Sequence, residues 1–272
     1  MHKHILLLTL ISLVVVFSAC KKSSNNAAPI IVTINPVAYP GYADTIWGIM
    51  ECDSKYEFGG RSSYGSDNIL PHDTTNYAFA SFANDSGIIT GAGNVLCNGA
   101  SLIQSSPFLD PNNFYFTGYQ LPQFNYINKA MSSFGNNISW QVSGFGTIPA
   151  ISYNFSAVFP QYLDTIATSL TRSAGFSVPL GANAIGADSA SISVIYFYEG
   201  FDVVHFLILA TATSSALDPM ITLTPSQLSA LPFDTTCSLM FTLYKKNIQK
   251  SGGKNYVFIT KYIMFYDTFA VY

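Results

Sequence analysis

Residues 237–245 read CSLMFTLYK, so Cys237, Leu239, Phe241 and Leu243 alternate with Ser238, Met240, Thr242 and Tyr244. Successive side chains on a strand point to opposite faces, and this period of two predicts a half-buried β-strand. The same texture extends in both directions. Ile151–Phe159, Gly175–Leu180, Ser189–Tyr198, Val203–Thr213 and Tyr256–Tyr266 read as strands in the second half. In the first half Ile30–Ile34, Tyr77–Phe82, Gly87–Asn98, Asn112–Gly118 and Ile138–Gly144 do the same. Gly91 and Gly93 interrupt one of these runs, where a bulge or tight bend is expected. Asn98-Gly99, between Val95-Leu96-Cys97 and Ser101-Leu102-Ile103, predicts a two-residue hairpin turn. One helical signal stands out. Thr224 can cap, Pro225 suits the first helical position, and Gln227 completes a capping box, so one or two helical turns are expected there.

Short strands at short spacing predict an all-β chain built as an antiparallel β-sandwich, as two tandem Ig-like or sandwich domains. Gly144–Ala150, with two glycines and a proline, is the candidate boundary. Residues 30–145 would form an N-terminal β domain and residues 150–272 a C-terminal β-sandwich domain.

The chain has 272 residues, 49% hydrophobic and only 10% charged, which is enough apolar material for a large core and too apolar for global disorder. Its formal net charge is −3. A mildly acidic, charge-poor chain lacks the basic patch that nucleic acid requires.

At the N-terminus, His2-Lys3-His4 precedes an almost unbroken apolar run from Ile5 to Phe17, then Ser18-Ala19-Cys20. A basic start, a short apolar run and small residues before a cut make a secretory signal. The run is too short for a spanning helix, which needs about 20 apolar residues. Phe17-Ser18-Ala19-Cys20 resembles a bacterial lipobox, in which the cysteine is lipidated and becomes the new N-terminus. Residues 1–19 are therefore expected to be a lipoprotein signal peptide. Residues 20–29, with Lys21–Pro29 reading KKSSNNAAP, are expected to be a lipid-anchored flexible tether.

Together with a β-rich body, the lipobox resembles small exported Bacteroidota-type lipoproteins of unknown activity. Further pieces of the resemblance are residues 139–144 (SWQVSG), Ile148-Pro149, residues 222–228 (TLTPSQL) and residues 253–256 (GKNY). It implies a cell-envelope compartment and a β fold. In that family an acidic cluster after the lipidated cysteine marks surface export. None follows Cys20, so an outer-membrane lipoprotein facing the periplasm is expected.

Beyond Cys20 the thiols are Cys52, Cys97 and Cys237. Export permits disulfides, and Cys52–Cys97 is the pairing to consider. No CxxC site or disulfide framework stands out, so three buried cysteines acting as small apolar residues is the expected arrangement.

Chemistry-bearing motifs are sparse. After the signal only His72 and His205 remain, so no metal site and no cofactor are expected. Asp67, His72 and Asp73 share a loop whose spacing matches no calcium loop. No nucleophile elbow or phosphate loop occurs. Among the three glutamates, Glu51, Glu57 and Glu199, the last has Asp202 close by and makes the best acidic pair by sequence. No catalytic residue is expected.

Aromatics are abundant, with 17 Tyr and 21 Phe. Those from Phe108 to Phe134 lie among Asn, Gln and Pro, and Tyr115, Tyr119, Phe124 and Tyr126 are the candidate ligand surface. At least one of Tyr119, Phe124 and Tyr126 is expected outside, and Phe114 and Phe116 inside. An Asp-Ser/Thr pattern, similar to the O-glycosylation site of exported Bacteroidota proteins, nominates Thr45, Thr74, Thr165, Ser189 and Thr235 as acceptors.

The expected role is a lipid-anchored envelope protein with non-enzymatic binding or scaffolding duties, held to the membrane by its lipid and meeting a glycan or an envelope protein. Two other classes remain open: a glycan-binding accessory of an outer-membrane uptake system, and a glycan hydrolase-like enzyme with an unrecognised acidic pair.

Overall fold

The computed structural model describes residues 46–58, 73–86, 89–104, 126–199, 204–231 and 235–272. The signal stretch, Cys20, the tether, Ile30–Ile34 and Asn112–Gly118 lie outside the described residues.

The fold is all-β and sandwich-like. Its centre is β1 (Ile46–Phe58), flanked by β17 (Lys254–Val271) on one side and β2 (Asp73–Phe82) on the other. Beyond β17 come β16 (Thr235–Ser251), β13 (Ser189–Glu199) and β14 (Val204–Ser215). Beyond β2 come β6 (Tyr126–Asn128) and β5 (Ile103–Gln104). Where β1 has ended, β10 (Ser169–Leu170) pairs with the last residues of β17.

Two seams of this sheet are parallel, β1–β17 and β10–β17. The all-β sandwich expected from sequence is therefore built on a large mixed sheet with smaller antiparallel sheets beside it. The division into tandem Ig-like domains is not confirmed. The described residues fall in one compact unit, and β1 and β2 from the first half share a sheet with β13, β14, β16 and β17 from the second. Gly144–Ala150 is no linker. It is the turn between β7 (Asn137–Val142) and β8 (Ile151–Ser156), closed by hydrogen bonds between Phe145 and Ile148.

One face of the large sheet carries two cover layers. The first is a four-stranded sheet, ordered β4 (Ala100–Ser101), β3 (Val95–Cys97), β7 and β8. Its Val95, Ile138, Trp140, Val142 and Phe155 pack on Met50, Ala78, Ala80, Phe82, Tyr256 and Phe258. The alanines leave room for the Trp140 indole, which is 1% exposed. Gly48 fits the same logic: a Cβ there would lie 2.8 Å from the rings of Phe82 and Tyr256. The second layer pairs β11 (Phe176–Pro179) with β15 (Met220–Leu223), and β9 (Gln161–Tyr162) with β12 (Ala184–Ile185). Phe176, Val178, Ile221 and Leu223 pack there on Ile192, Val194, Leu239, Phe241 and Leu243.

Local signals hold where they were strong. Cys237, Leu239, Phe241 and Leu243 are all buried on one face. The Asn98-Gly99 turn joins β3 to β4 with both residues at positive φ, 48° and 78°. Thr224 caps α1 (Pro225–Leu228), and its capping box with Gln227 is complete. Leu228 is buried, so this single turn plugs the second core region. The glycines near residue 91 interrupt the strand expected from Gly87: among the described residues Ile89 makes an isolated bridge with Ala83, Val95–Cys97 forms the strand, and Gly93 has φ 78°. The three cysteines are buried thiols, and Cys52 and Cys97 touch.

Candidate functional site

The chemistry of the described residues concentrates on β1, a strand the sequence reading passed over. Residues 50–58 read MECDSKYEF. Pleating sends Met50 and Cys52 to the sandwich core and Glu51, Asp53, Lys55 and Glu57 to the opposite face. Burial reaches that face too: Glu51 is 4% exposed, Asp53 8% and Lys55 8%.

Parallel register sets Glu51 opposite Ile259 and Asp53 opposite Lys261 on β17. Lys261 in turn pairs with Tyr244 on β16. The Lys261 ammonium donates to Glu51 Oε1 at 2.5 Å and stands 5.9 Å from the Tyr244 ring centre. The Tyr244 hydroxyl bonds Ser191 Oγ at 2.7 Å. Lys246 Nζ stands 5.5 Å from the centre of the same Tyr244 ring. Lys55 bonds Glu57 and stands 4.7 Å from the Phe265 ring centre. A patch of Ile46, Ile49, Val257 and Ile259 closes one end of the row.

Burial pushes the Asp53 carboxyl well above the usual carboxylate range, and the Glu51 charge adds to this. Lys261 opposes the rise, and a hydrogen bond with Glu51 supports it. Lys261 is itself lowered by burial, but the Glu51 and Asp53 carboxyls outweigh that and hold it above the ordinary lysine range. Burial and the Lys261 charge lower Lys246. Burial and the neighbouring Glu51 thus favour the neutral form of Asp53, while Lys261 is held as an ammonium against Glu51. Asp53 Oδ1 is buried with no hydrogen-bond partner.

The nominated residues fare differently. Tyr126 is corrected: it is 2% exposed, its ring meets Phe82 edge-on with centres 5.9 Å apart, and its hydroxyl accepts from Ala92 N at 2.7 Å. It is a core residue, placed there because β6 pairs with β2 and turns it inward. Tyr115, Tyr119, Phe124, Phe114 and Phe116 lie outside the described residues. Of the acceptor positions, Thr74 and Thr165 are exposed, and Ser189 is half-buried in β13 between β14 and β16. Asp188 beside it is occupied, accepting from Lys245 Nζ at 2.6 Å and from Lys246 N at 3.1 Å. Thr45 is outside the described residues, and Thr235 is described only as a position in β16. His72, Asp67 and Asp202 are outside them too, while Glu199, His205 and Asp73 are described only as strand positions. Among the described residues no group of three or more His, Cys, Asp or Glu gathers as a metal site.

Asp202 lies outside the described residues, among which Glu51 and Asp53 form a buried acidic pair. Its signal was available: charged residues at every second position from 51 to 57, alternating with Met50, Cys52, Tyr56 and Phe58. No family model, curated protein or solved structure matches this chain.

Proposed function

We propose that this chain is a lipid-anchored cell-envelope protein on the periplasmic side of an outer membrane, with a sandwich body that binds or scaffolds and does no chemistry. The observation that carries the anchor is Phe17-Ser18-Ala19-Cys20 at the end of the apolar run. Acylation of one cysteine with more than one chain gives stable attachment.

The burial of Glu51 and Asp53 supports binding over hydrolysis. Glycoside cleavage needs two carboxyls about 5 Å or more apart, with the sugar between them. Here both carboxyls are buried two residues apart on one strand, and Lys261 bonds Glu51.

Exposed apolar side chains supply a surface for an envelope protein. Leu163 and Ile185, 62% and 38% exposed, lie beside and within the β9–β12 pair. Leu217 and Met220, 87% and 53% exposed, lie on and just after the neighbouring β14–β15 connection. Backbone hydrogen bonds from Leu163 to Asn183, Asn183 to Leu180, and Leu180 to Pro219 tie these segments together. Large exposed apolar groups gathered in one region favour a partner.

The test is Cys20→Ser followed by fractionation. The variant should leave the membrane fraction, because Lys21–Pro29 carries little apolar area. A variant that stays with the membrane after a carbonate wash contradicts the anchor.

A further inference from the structure

Cys52 and Cys97 face each other across the two layers of the sandwich. Cys52 sits mid-strand in β1, between Ala78 on β2 and Thr260 on β17. Cys97 ends β3 of the covering sheet, beside Trp140. Their sulfurs are 3.5 Å apart, and both residues are 0% exposed. The two strands belong to different sheets, so side chains alone make this contact. Cys237 belongs to the other core cluster, under the second cover layer.

We propose that Cys52 and Cys97 form a disulfide that staples the large sheet to its four-stranded cover, while Cys237 stays a thiol. A disulfide needs its sulfurs at about 2 Å and its β-carbons within about 4.5 Å. The two sulfurs are already in contact at 3.5 Å, so they need to come about 1.5 Å closer for the bond to form.

The oxidant is an external disulfide, of the kind an oxidising envelope supplies. One cysteine thiolate attacks it, forming a mixed disulfide and releasing one thiolate. The second cysteine thiolate then attacks the Sγ of the first cysteine in that mixed disulfide, closing the Cys52–Cys97 bond and releasing the external group as the other thiolate. The protein loses two electrons and two protons, and the external disulfide leaves as two thiols.

In the closed sandwich Cys52 is a poor nucleophile. Burial raises its pKa, and its contact with Cys97 and the charges of Asp53 and Glu51 raise it further. Exchange therefore belongs to the folding chain, before the layers close. The bond would close a loop across 45 residues and so restrict the unfolded chain. It would also fix β1, the strand that carries Glu51 and Asp53, against β3.

The proposal rests on the export reading only for where the chain meets an oxidant, so its test removes the lipid site. Full-chain protein with Cys20→Ser is unfolded, reduced and refolded in a glutathione buffer, then denatured and alkylated with a maleimide. One alkylated cysteine, Cys237, and a peptide linking Cys52 to Cys97 are expected. Three alkylated cysteines, or any link that includes Cys237, would overturn the proposal. The same count on protein exported in its own host, trapped in acid before alkylation, decides the matter for a chain that refolds poorly.

Discussion

Lys261 Nζ donates to Glu51 Oε1 at 2.5 Å across the parallel seam of β17 and β1, joining residues 210 apart in sequence. The bond does more than pair two charges. It sets a cation against Glu51 on a strand that keeps two carboxyls under cover, Glu51 and Asp53. A single row of side chains thus ties the last strand of the chain to the first described one.

Removing that cation should be costly. Lys261→Met leaves Glu51 buried as an unpaired charge, and breaking such a pair costs about 3–5 kcal/mol. Adding Glu51→Gln should recover most of the loss, since both charges are then gone. Urea unfolding of the two single variants and the double variant measures this. Additive losses would mean that the two side chains do not act as a pair.

Asp53 makes a pH prediction with a definite sign. Its folded-state pKa is raised above the ordinary carboxyl value of 3.8. The folded state therefore binds the proton more tightly than the unfolded state. The contribution is fully present below the ordinary value and is lost as pH rises through the raised one. Asp53→Asn mimics the protonated carboxyl and cannot ionise. Its stability advantage over the parent should be absent in acid and grow as pH rises above about 4. Chemical denaturation at a series of pH values reads this directly, and a parallel pair of curves would count against a raised Asp53 pKa.

How far the sequence could be read depends on which face a strand hides. Cys237–Leu243 was legible because its partner face is mostly small or amphipathic, so the period of two stands out. β1 follows the same period with Glu, Asp, Lys and Glu on the second face. Four charges in a row suggest a solvated loop; here Lys261, far along the chain, pairs with Glu51, and Lys55 pairs with Glu57. The parallel seam was illegible for a related reason. Local turn chemistry such as Asn98-Gly99 specifies hairpins, whereas β1 and β17 meet through no local connection. The division at Gly144–Ala150 failed because two glycines and a proline serve a hairpin turn as well as a linker. Tyr126 was misjudged by its neighbours in sequence; its position on β6 beside β2 decides its burial.

Tyr126 should behave as a core ring. Tyr126→Ala should cost about 3–5 kcal/mol, the range for a buried aromatic. Tyr126→Phe keeps the packing but leaves the Ala92 N–H without its acceptor, which costs about 1–3 kcal/mol. Thermal unfolding of both variants checks the order. A Tyr126→Ala variant within about 0.5 kcal/mol of the parent would return this residue to the surface.

The claim on which the functional account turns is lipid attachment at Cys20, and the mass of the mature N-terminal peptide tests it most directly. Protein taken from the membrane of its own host should begin at Cys20 and carry diacylglycerol plus an amide-linked acyl chain. A mature chain that starts elsewhere, or that presents an unmodified Cys20, would contradict the account.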